Sequence, residues 1–330
     1  MRVQSINVIY KLIFLVGILI FLPTNTEASA GDRTQAFQDC LYFCRRNNCT
    51  ADTDGVTHYD RVQPFYLKVL QWDCEEECKY FCMWYTLDRF AKGSYWVPQF
   101  YGKWPFVRIF GIQEPASTLF SLLNLYSHVK MIRTFRGDAS RNTPFFYFWH
   151  IYFLICVNSW ICSTVFHARD TPTTEKLDYL GAFAMVLFSL YALIIRYIGF
   201  KNKILVGAVS LFFASFYYHH IYNLFYVAFD YNHNMNVNIL VGTLQITGWL
   251  IWCAVRHKRQ PYVWRCSATM FLVIITTLLE VIDFPPLLKV FDAHSLWHLS
   301  TAVLPVLWYR FLIDDTHYLH NKMVCATKLP

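Results

Sequence analysis

The chain has 330 residues, of which 55% are hydrophobic, 19% are aromatic and only 15% are charged. Soluble proteins carry about 25% charged residues, so a soluble fold cannot bury this much apolar surface. The same composition excludes a disordered chain, a collagen and a coiled coil. The net charge of +7 does not indicate a nucleic-acid partner, because Lys and Arg lie in short blocks between long apolar runs, as in membrane proteins.

Residues 1–30 have the pattern of a secretory signal peptide. Arg2 and Lys11 form the basic start, an apolar run follows over 12–22, and residues 28–30 form a small-residue cleavage site. A retained first transmembrane helix is the alternative, although the run is short and ends at a proline. Cleavage would place the new N-terminus in the lumen of the secretory pathway.

Six of the eleven cysteines lie in the segment 31–104, which we predict to be a luminal domain. An oxidising compartment favours three disulfides over the alternative, a zinc cluster. The spacing of about four residues within each half of the set predicts that its cysteines share one face of a helix. Two antiparallel helices would then give a nested pairing. The predicted pairs are Cys49 with Cys74, Cys44 with Cys78, and Cys40 with Cys82.

The sequence around Cys49 allows an alternative pairing and contains a glycosylation motif. Cys49 follows Cys44 by five residues, so it can lie beyond the first helix and pair elsewhere. Asn48-Cys49-Thr50 is an N-glycosylation sequon, which predicts a glycan on Asn48.

Seven apolar stretches follow residue 105, and each is close to the 20 or so residues that cross a bilayer. They predict an all-α polytopic membrane protein with seven transmembrane helices and an N-terminal, luminal, disulfide-rich helical segment. The membrane domain is expected over 105–315, with a cytosolic tail over 316–330. The first stretch is the weakest, with Glu114 and Lys130 near its ends. The predicted spans are 112–132, 144–167, 178–197, 204–228, 237–255, 266–284 and 293–312.

Positive charge sets the orientation of these spans. One set of connections carries eleven Lys and Arg residues, whereas the alternate set carries only Arg169, Lys176 and Lys289. The richer set is predicted to face the cytosol, so the N-terminus is luminal and the C-terminus cytosolic. The cleaved signal peptide predicts the same orientation.

Five polar residues recur at the luminal ends of the predicted spans. Ser163 and His167 are four apart at the end of the second span, and His294 and His298 are four apart at the start of the seventh, so each pair shares a helix face. Asp178 opens the third span at the same level. Intramembrane polar residues are rare and are often functional.

Three His residues are the ligand set of a catalytic zinc site whose fourth position is left to water. Zinc lowers the pKa of that water to about 7. Asp178 would accept its proton and Ser163 would orient it or donate to an oxyanion. Asp170 and Asp292 are rival carboxylates. A Ser-His-Asp triad is a second alternative, although it leaves two of the imidazoles without a role.

The site pattern resembles the CREST superfamily of seven-helix membrane hydrolases, which includes alkaline ceramidases and adiponectin-receptor-like proteins. Longer strings are similar to the post-GPI-attachment-to-proteins factor three family, over about residues 31–320. Those strings lie at 82–84, 97–100, 102–106, 113–117, 163–167 and 283–286, besides the cysteine pattern.

The resemblance implies removal of the sn-2 acyl chain from the lipid of GPI-anchored proteins. It implies that His167, His294 and His298 are the zinc ligands. It also implies that Ser163 and Asp178 occupy the two other site positions of the superfamily. It also implies a Golgi membrane location, with the endoplasmic reticulum as alternative. A ceramidase-like amidase and a non-enzymatic receptor or cargo escort with a structural metal site remain alternatives.

Overall fold

A computed structural model describes residues 30–51, 57–59, 62–91, 97–227 and 230–327. Almost all of the predicted signal peptide, 1–30, lies outside the described residues. The described chain is mostly helical. Its N-terminal part, residues 30–91, is called the disulfide domain below.

The disulfide domain is built on two helices, α1 (Gln35–Asn48) and α3 (Cys74–Ala91). Two disulfides, Cys40–Cys82 and Cys44–Cys78, join these helices, and a third, Cys49–Cys74, joins the residue directly after α1 to the start of α3; each pair has its Cα atoms 5.7 Å apart. These are the nested pairs that the spacing predicts. Phe37, Leu41 and Phe100 pack around the cystines. Such a small apolar core gains stability from covalent links.

Two short strands and a short helix connect α1 to α3. Strands β1 (Cys49–Ala51) and β2 (Thr57–Tyr59) pair antiparallel. The short helix α2 (Phe65–Val69) begins directly after Pro64, whose fixed φ suits the start of a helix and interrupts any helix that arrives from upstream. Asn48 ends α1, and its side-chain amide donates a 3.1 Å hydrogen bond to the carbonyl of Cys44.

Eight further α-helices follow, and α7 continues into a π-helical turn, Asn223–Val227. A proline occupies the first turn of α4, α5 and α6, where its missing N–H costs no hydrogen bond. The helices are α4 (Pro115–Asp138), α5 (Pro144–Ala168), α6 (Pro172–Ile198), α7 (Lys203–Tyr222), α8 (Tyr231–Arg256), α9 (Trp264–Val281), α10 (Ala293–Thr301) and α11 (Leu304–Thr327).

Six stretches of the described chain are long and apolar enough to cross a membrane, so the chain is a multi-pass membrane protein. The first predicted span, 112–132, corresponds to α4, which is long enough but does not meet the same criterion of composition. In its N-terminal half, polar residues such as Ser117, Ser121 and Asn124 are buried in the bundle, and the exposed face carries Leu119, Leu122, Leu123 and Tyr126. The qualifying stretches are Pro144–Ala168, Pro172–Ile198, Lys203–Val227, Tyr231–Arg256, Pro261–Glu280 and Ala293–Ala326.

The last predicted span, 293–312, is wrong as a single helix. It is two helices, α10 and α11, with a break at Ala302 and Val303. Pro305 has no N–H to continue the helical ladder, and its ring crowds the carbonyl four residues back. The second helix then continues to Thr327, so most of the segment predicted as a tail, 316–330, is helical.

The helices enclose an aromatic core. Trp149, Trp249 and Trp308 meet at near-perpendicular ring planes, with centroids 5.3–6.1 Å apart for the pairs that include Trp308. Helix α4 packs on α5, α10 and α11, and α9 packs on α10. The end of α5, the end of α9 and the start of α10 therefore meet at one end of the bundle.

The disulfide domain is attached to this end of the bundle. The ring of Trp72 lies between the guanidinium groups of Arg108 and Arg169, at 3.3 and 3.8 Å from its centroid. Glu77 pairs with Arg108 and Glu76 with Arg169, each at 2.6 Å. Such stacked, charge-paired contacts hold the domain against the residue that follows α5.

Candidate metal centre

Three imidazoles converge at the junction of α5 and α10. The Nε2 atoms of His167, His294 and His298 lie 3.0–3.3 Å from one another. His167 and His298 are buried. Ser163 and His167 share one face of α5, and His294 and His298 share one face of α10, as predicted. Helix packing brings these two faces together.

The geometry fits a zinc ion. With Zn–N distances of about 2.0–2.1 Å, tetrahedral ligands lie about 3.3–3.4 Å from one another. Three Nε2 lone pairs that point at one place repel one another unless a cation lies between them. In the described part of the chain, the potential ligand atoms that lie within 4.8 Å of each other at this place belong to the three imidazoles alone.

Two glutamates orient two of the imidazoles. Nδ1 of His167 lies 2.7 Å from a carboxylate oxygen of Glu114, and Nδ1 of His294 lies 2.8 Å from one of Glu280. A neutral imidazole that donates from Nδ1 keeps the Nε2 lone pair free for a metal. Nδ1 of His298 is buried and has no hydrogen-bond partner among the described residues.

A half-buried lysine, Lys103, supports the first of these pairs. Nζ of Lys103 lies 2.6 Å from Glu114 and 2.8 Å from Asp170. Burial alone lowers the pKa of Lys103, but the two carboxylates outweigh it and raise the pKa above its ordinary value. Lys103 is therefore charged. Backbone hydrogen bonds from Gln113 to Ala168 and from Glu114 to His167 fix the same segment to the end of α5.

Ser163 and Asp178 lie beside the imidazoles. Ser163 Oγ is buried and lies 3.1 Å from Ser121 Oγ. Asp178 lies within interaction range of the Ser163 side chain and of the imidazoles of His167 and His294. The structure thus brings the five predicted site residues together.

The position of Asp178 differs from the prediction in one respect. It does not open its helix, because α6 begins at Pro172 after a capping box between Thr171 and Thr174. That cap satisfies the free N–H groups of the first turn and moves the helix start six residues upstream. Asp178 consequently lies in the second turn, beside Ser163.

The rival carboxylates have other partners. Asp170 pairs with Lys103, and Asp292 caps α10 through a capping box with Ser295. In a Ser-His-Asp triad an imidazole nitrogen must reach the serine hydroxyl. His167 turns Nδ1 toward Glu114 and Nε2 toward the other imidazoles.

Sequence reasoning missed Glu114, Glu280 and Lys103. Glu280 carried a usable signal, because a carboxylate inside a predicted span is unusual and needs a partner. Glu114 and Lys103 had only the matched strings at 113–117 and 102–106 as a signal. Their contact with His167 depends on a loop that folds back, which no helical period predicts.

Comparison with known proteins decides the family. A sequence profile described as the Per1-like family matches residues 64–316. The chain belongs to the Per1-like family. The resemblance to the post-GPI-attachment-to-proteins factor three family is thereby confirmed.

Named relatives of this Per1-like chain extend over nearly its whole length. The protein named post-GPI attachment to proteins factor 3 of Drosophila melanogaster is 40% identical over 304 residues, which cover 91% of this chain and 92% of the fly protein. The GPI-specific phospholipase A2-like PGAP3 of Danio rerio is 38% identical, covering 96% and 99%. The human protein of the same name is 36% identical, covering 89% and 91%.

Proposed function

We propose that this protein remodels GPI anchors by hydrolysing the sn-2 acyl ester of the lipid on GPI-anchored proteins. The observation that carries the proposal is the convergence of the three Nε2 atoms within 3.3 Å beside Ser163 and Asp178. The names of the relatives support the substrate class.

His167, His294 and His298 would hold a zinc ion, with Glu114 and Glu280 orienting two of them. Zinc in such a site supplies a Lewis acid and a water of lowered pKa. The fourth position would be open, because no carboxylate joins the three imidazoles among the described residues. An open position favours a catalytic site over a purely structural one.

Asp178 and Ser163 would carry out the proton transfer and charge stabilisation. The carboxylate of Asp178 accepts a proton as water adds to the ester carbonyl carbon. The Ser163 hydroxyl donates to the oxyanion that forms. Cleavage of the acyl C–O bond releases a fatty acid and leaves a hydroxyl on the glycerol, which receives the proton.

The substrate would enter from the His294 side. The side chains of His294 and Glu280 are 33% and 35% exposed, whereas those of His167 and Glu114 are 2% and 6% exposed. A lipid ester lies near the membrane interface, at the helix ends where these residues are found. The acyl chains can then stay in the bilayer while the ester reaches the site.

Deletion of the gene followed by lipid analysis of GPI-anchored proteins tests the proposal. We expect diacyl anchors to accumulate, wild-type protein to restore the lyso form, and His298→Ala protein to fail. Accumulation of ceramide would instead favour an amidase. Unchanged GPI and ceramide would favour a receptor or cargo escort with a structural metal.

We place the protein in the Golgi membrane, with the disulfide domain luminal and the C-terminus cytosolic. The charge distribution and the oxidised cysteines support this orientation. A protease-protection assay with tags at both ends tests the orientation, and light microscopy separates Golgi from endoplasmic reticulum.

Loss of a mobility shift in Asn48→Gln protein tests the predicted glycan.

A further inference from the structure

Large apolar side chains are exposed where the disulfide domain meets the membrane bundle. Helix α2 exposes Phe65, Tyr66 and Val69. Residues 109–112 form a tight hairpin, in which Ile109 and Ile112 exchange backbone hydrogen bonds, and this hairpin exposes Ile109 and Phe110. Phe65 is 81% exposed and Phe110 is 77% exposed. These five residues are called the aromatic patch. A contiguous apolar patch on a protein surface indicates an interaction site.

Packing and a hydrogen bond hold the aromatic patch together. The rings of Phe110 and Tyr66 are 6.4 Å apart in a T-shaped arrangement. Gly111, at φ +79°, lies so close to Leu70 that an added Cβ would approach its side chain to 3.0 Å. The indole of Trp72 donates a 2.8 Å hydrogen bond to the carbonyl of Gly111. The hairpin tip and α2 are therefore packed together on their inner side.

A membrane helix fixes the position of the aromatic patch. Arg169 is the first residue after α5, and its backbone N–H still bonds to Val165. Its guanidinium donates to the carbonyls of Leu70, at 3.0 Å, and Gln71, at 3.4 Å. Those two residues directly follow α2. The patch thus lies at the level where α5 leaves the membrane.

A second exposed apolar group lies in the loop between α9 and α10. Leu287 and Leu288 are exposed in the loop between α9 and α10, with Leu288 85% exposed. The N–H of Val107 donates a 2.9 Å hydrogen bond to the carbonyl of Lys289, which ties this loop to the segment that leads into the hairpin. Leu288 and Lys289 adopt positive φ angles of 54° and 61°, a costly conformation for such residues. We call Leu287 and Leu288 the leucine pair.

We propose that the aromatic patch and the leucine pair insert into the interfacial layer of the bilayer on the side of the metal centre. The chain runs from Phe110 into α4, and the leucine pair lies between α9 and α10, so both groups lie next to the ends of helices of the membrane bundle. Aromatic residues favour this layer, and an apolar surface that lies on a membrane binds there in proportion to its buried area. Exposed Lys68, within α2, can extend its amine toward the headgroups.

Insertion would hold the disulfide domain at a fixed height beside the metal centre. The same segment that carries the hairpin also carries Lys103 and Glu114, which contact the His167 side of the centre. The bilayer would then support the frame of the site in addition to Arg169 and Trp72. This inference does not depend on the reaction that the centre catalyses.

Site-directed fluorescence tests the inference in the full-length protein. The variants Phe65→Cys, Phe110→Cys and Leu288→Cys are each labelled with an environment-sensitive NBD dye, in a background that carries Cys162→Ser and Cys325→Ser. The remaining free cysteines are buried. After reconstitution into phosphatidylcholine vesicles, we expect blue-shifted emission at all three positions. Nitroxides attached to lipid headgroups should quench them strongly, and aqueous iodide only weakly.

Tyr42→Cys is the matched control. Tyr42 is 58% exposed on α1. Its hydroxyl accepts a hydrogen bond from the exposed side chain of Arg46. Its label should be quenched several-fold more by iodide than by the nitroxide lipid. Iodide quenching at position 110 or 288 equal to that at 42 would overturn the proposal. Shielding from both quenchers would overturn it in favour of a protein partner.

Discussion

The two sides of the metal centre hold their imidazoles in different ways. On the His167 side, Glu114 is buried and contacts Lys103, and the backbone of the same loop bonds to the end of α5. On the His294 side, Glu280 and its histidine are about one-third exposed, at 35% and 33%. The first side is a fixed frame connected to the disulfide domain, and the second is the more exposed side, through which we propose that the substrate enters.

This contrast shows how a membrane site can be both ordered and accessible. A carboxylate that is buried with a lysine keeps its charge and its geometry. A carboxylate near an opening gains less from its histidine, because solvent or lipid headgroups compete for it. The effects of substitutions on the two sides should therefore differ in size, although under the proposed function both sides would hold the same ion.

The largest effect is expected from the imidazoles themselves. His167→Ala, His294→Ala and His298→Ala should each abolish activity and lower bound zinc, because each removes one of three ligands. Metal analysis of purified protein measures this. His220→Ala is the control, since His220 is buried but bonds to Asn234 away from the centre. Full zinc in all three variants would contradict the metal site.

The next effect concerns Ser163. Ser163→Ala should lower the hydrolysis rate about 10²–10³-fold, the loss expected for one oxyanion donor, while zinc is retained. Ser159→Ala is a matched control, because Ser159 is equally buried and lies one turn earlier on α5. A covalent acyl adduct trapped on Ser163 would show that it is a nucleophile instead.

The two glutamates compare the sides directly. Glu114→Gln should weaken zinc binding within the range of about 10–100-fold that outer-shell partners command. Glu280→Gln should weaken it less, because its pair is partly exposed. Competition with a chelator measures both, and each variant is the control for the other. A larger loss for Glu280→Gln would reverse the assignment of frame and entrance.

The smallest effect is expected for Lys103, which touches no imidazole. Lys103→Met should lower zinc affinity less than Glu114→Gln does, because the carboxylate that bonds His167 remains. In a Glu114→Gln background the same change should add little, since residues of one network are not additive. A double-mutant cycle measures this. Additive losses would show that Lys103 acts on the centre by another route.

The sequence alone determined the covalent and local features of this protein. The spacing of the cysteines gave the same three pairs that the structure contains, because two antiparallel helices place residues four apart on facing sides. The same periodicity put Ser163 with His167 and His294 with His298. Long apolar runs predicted the membrane helices because a span needs about 20 apolar residues.

Only the tertiary structure decided how these parts meet. Glu114 lies 53 residues before His167, and their contact requires the loop before α4 to fold back onto the end of α5. The depth of Asp178 depended on a cap at Thr171, which competes with any boundary drawn from hydropathy. Local patterns record what a residue does within its own helix. Contacts between helices depend on packing and on the burial of charge, and the periodic pattern of a single sequence does not predict these.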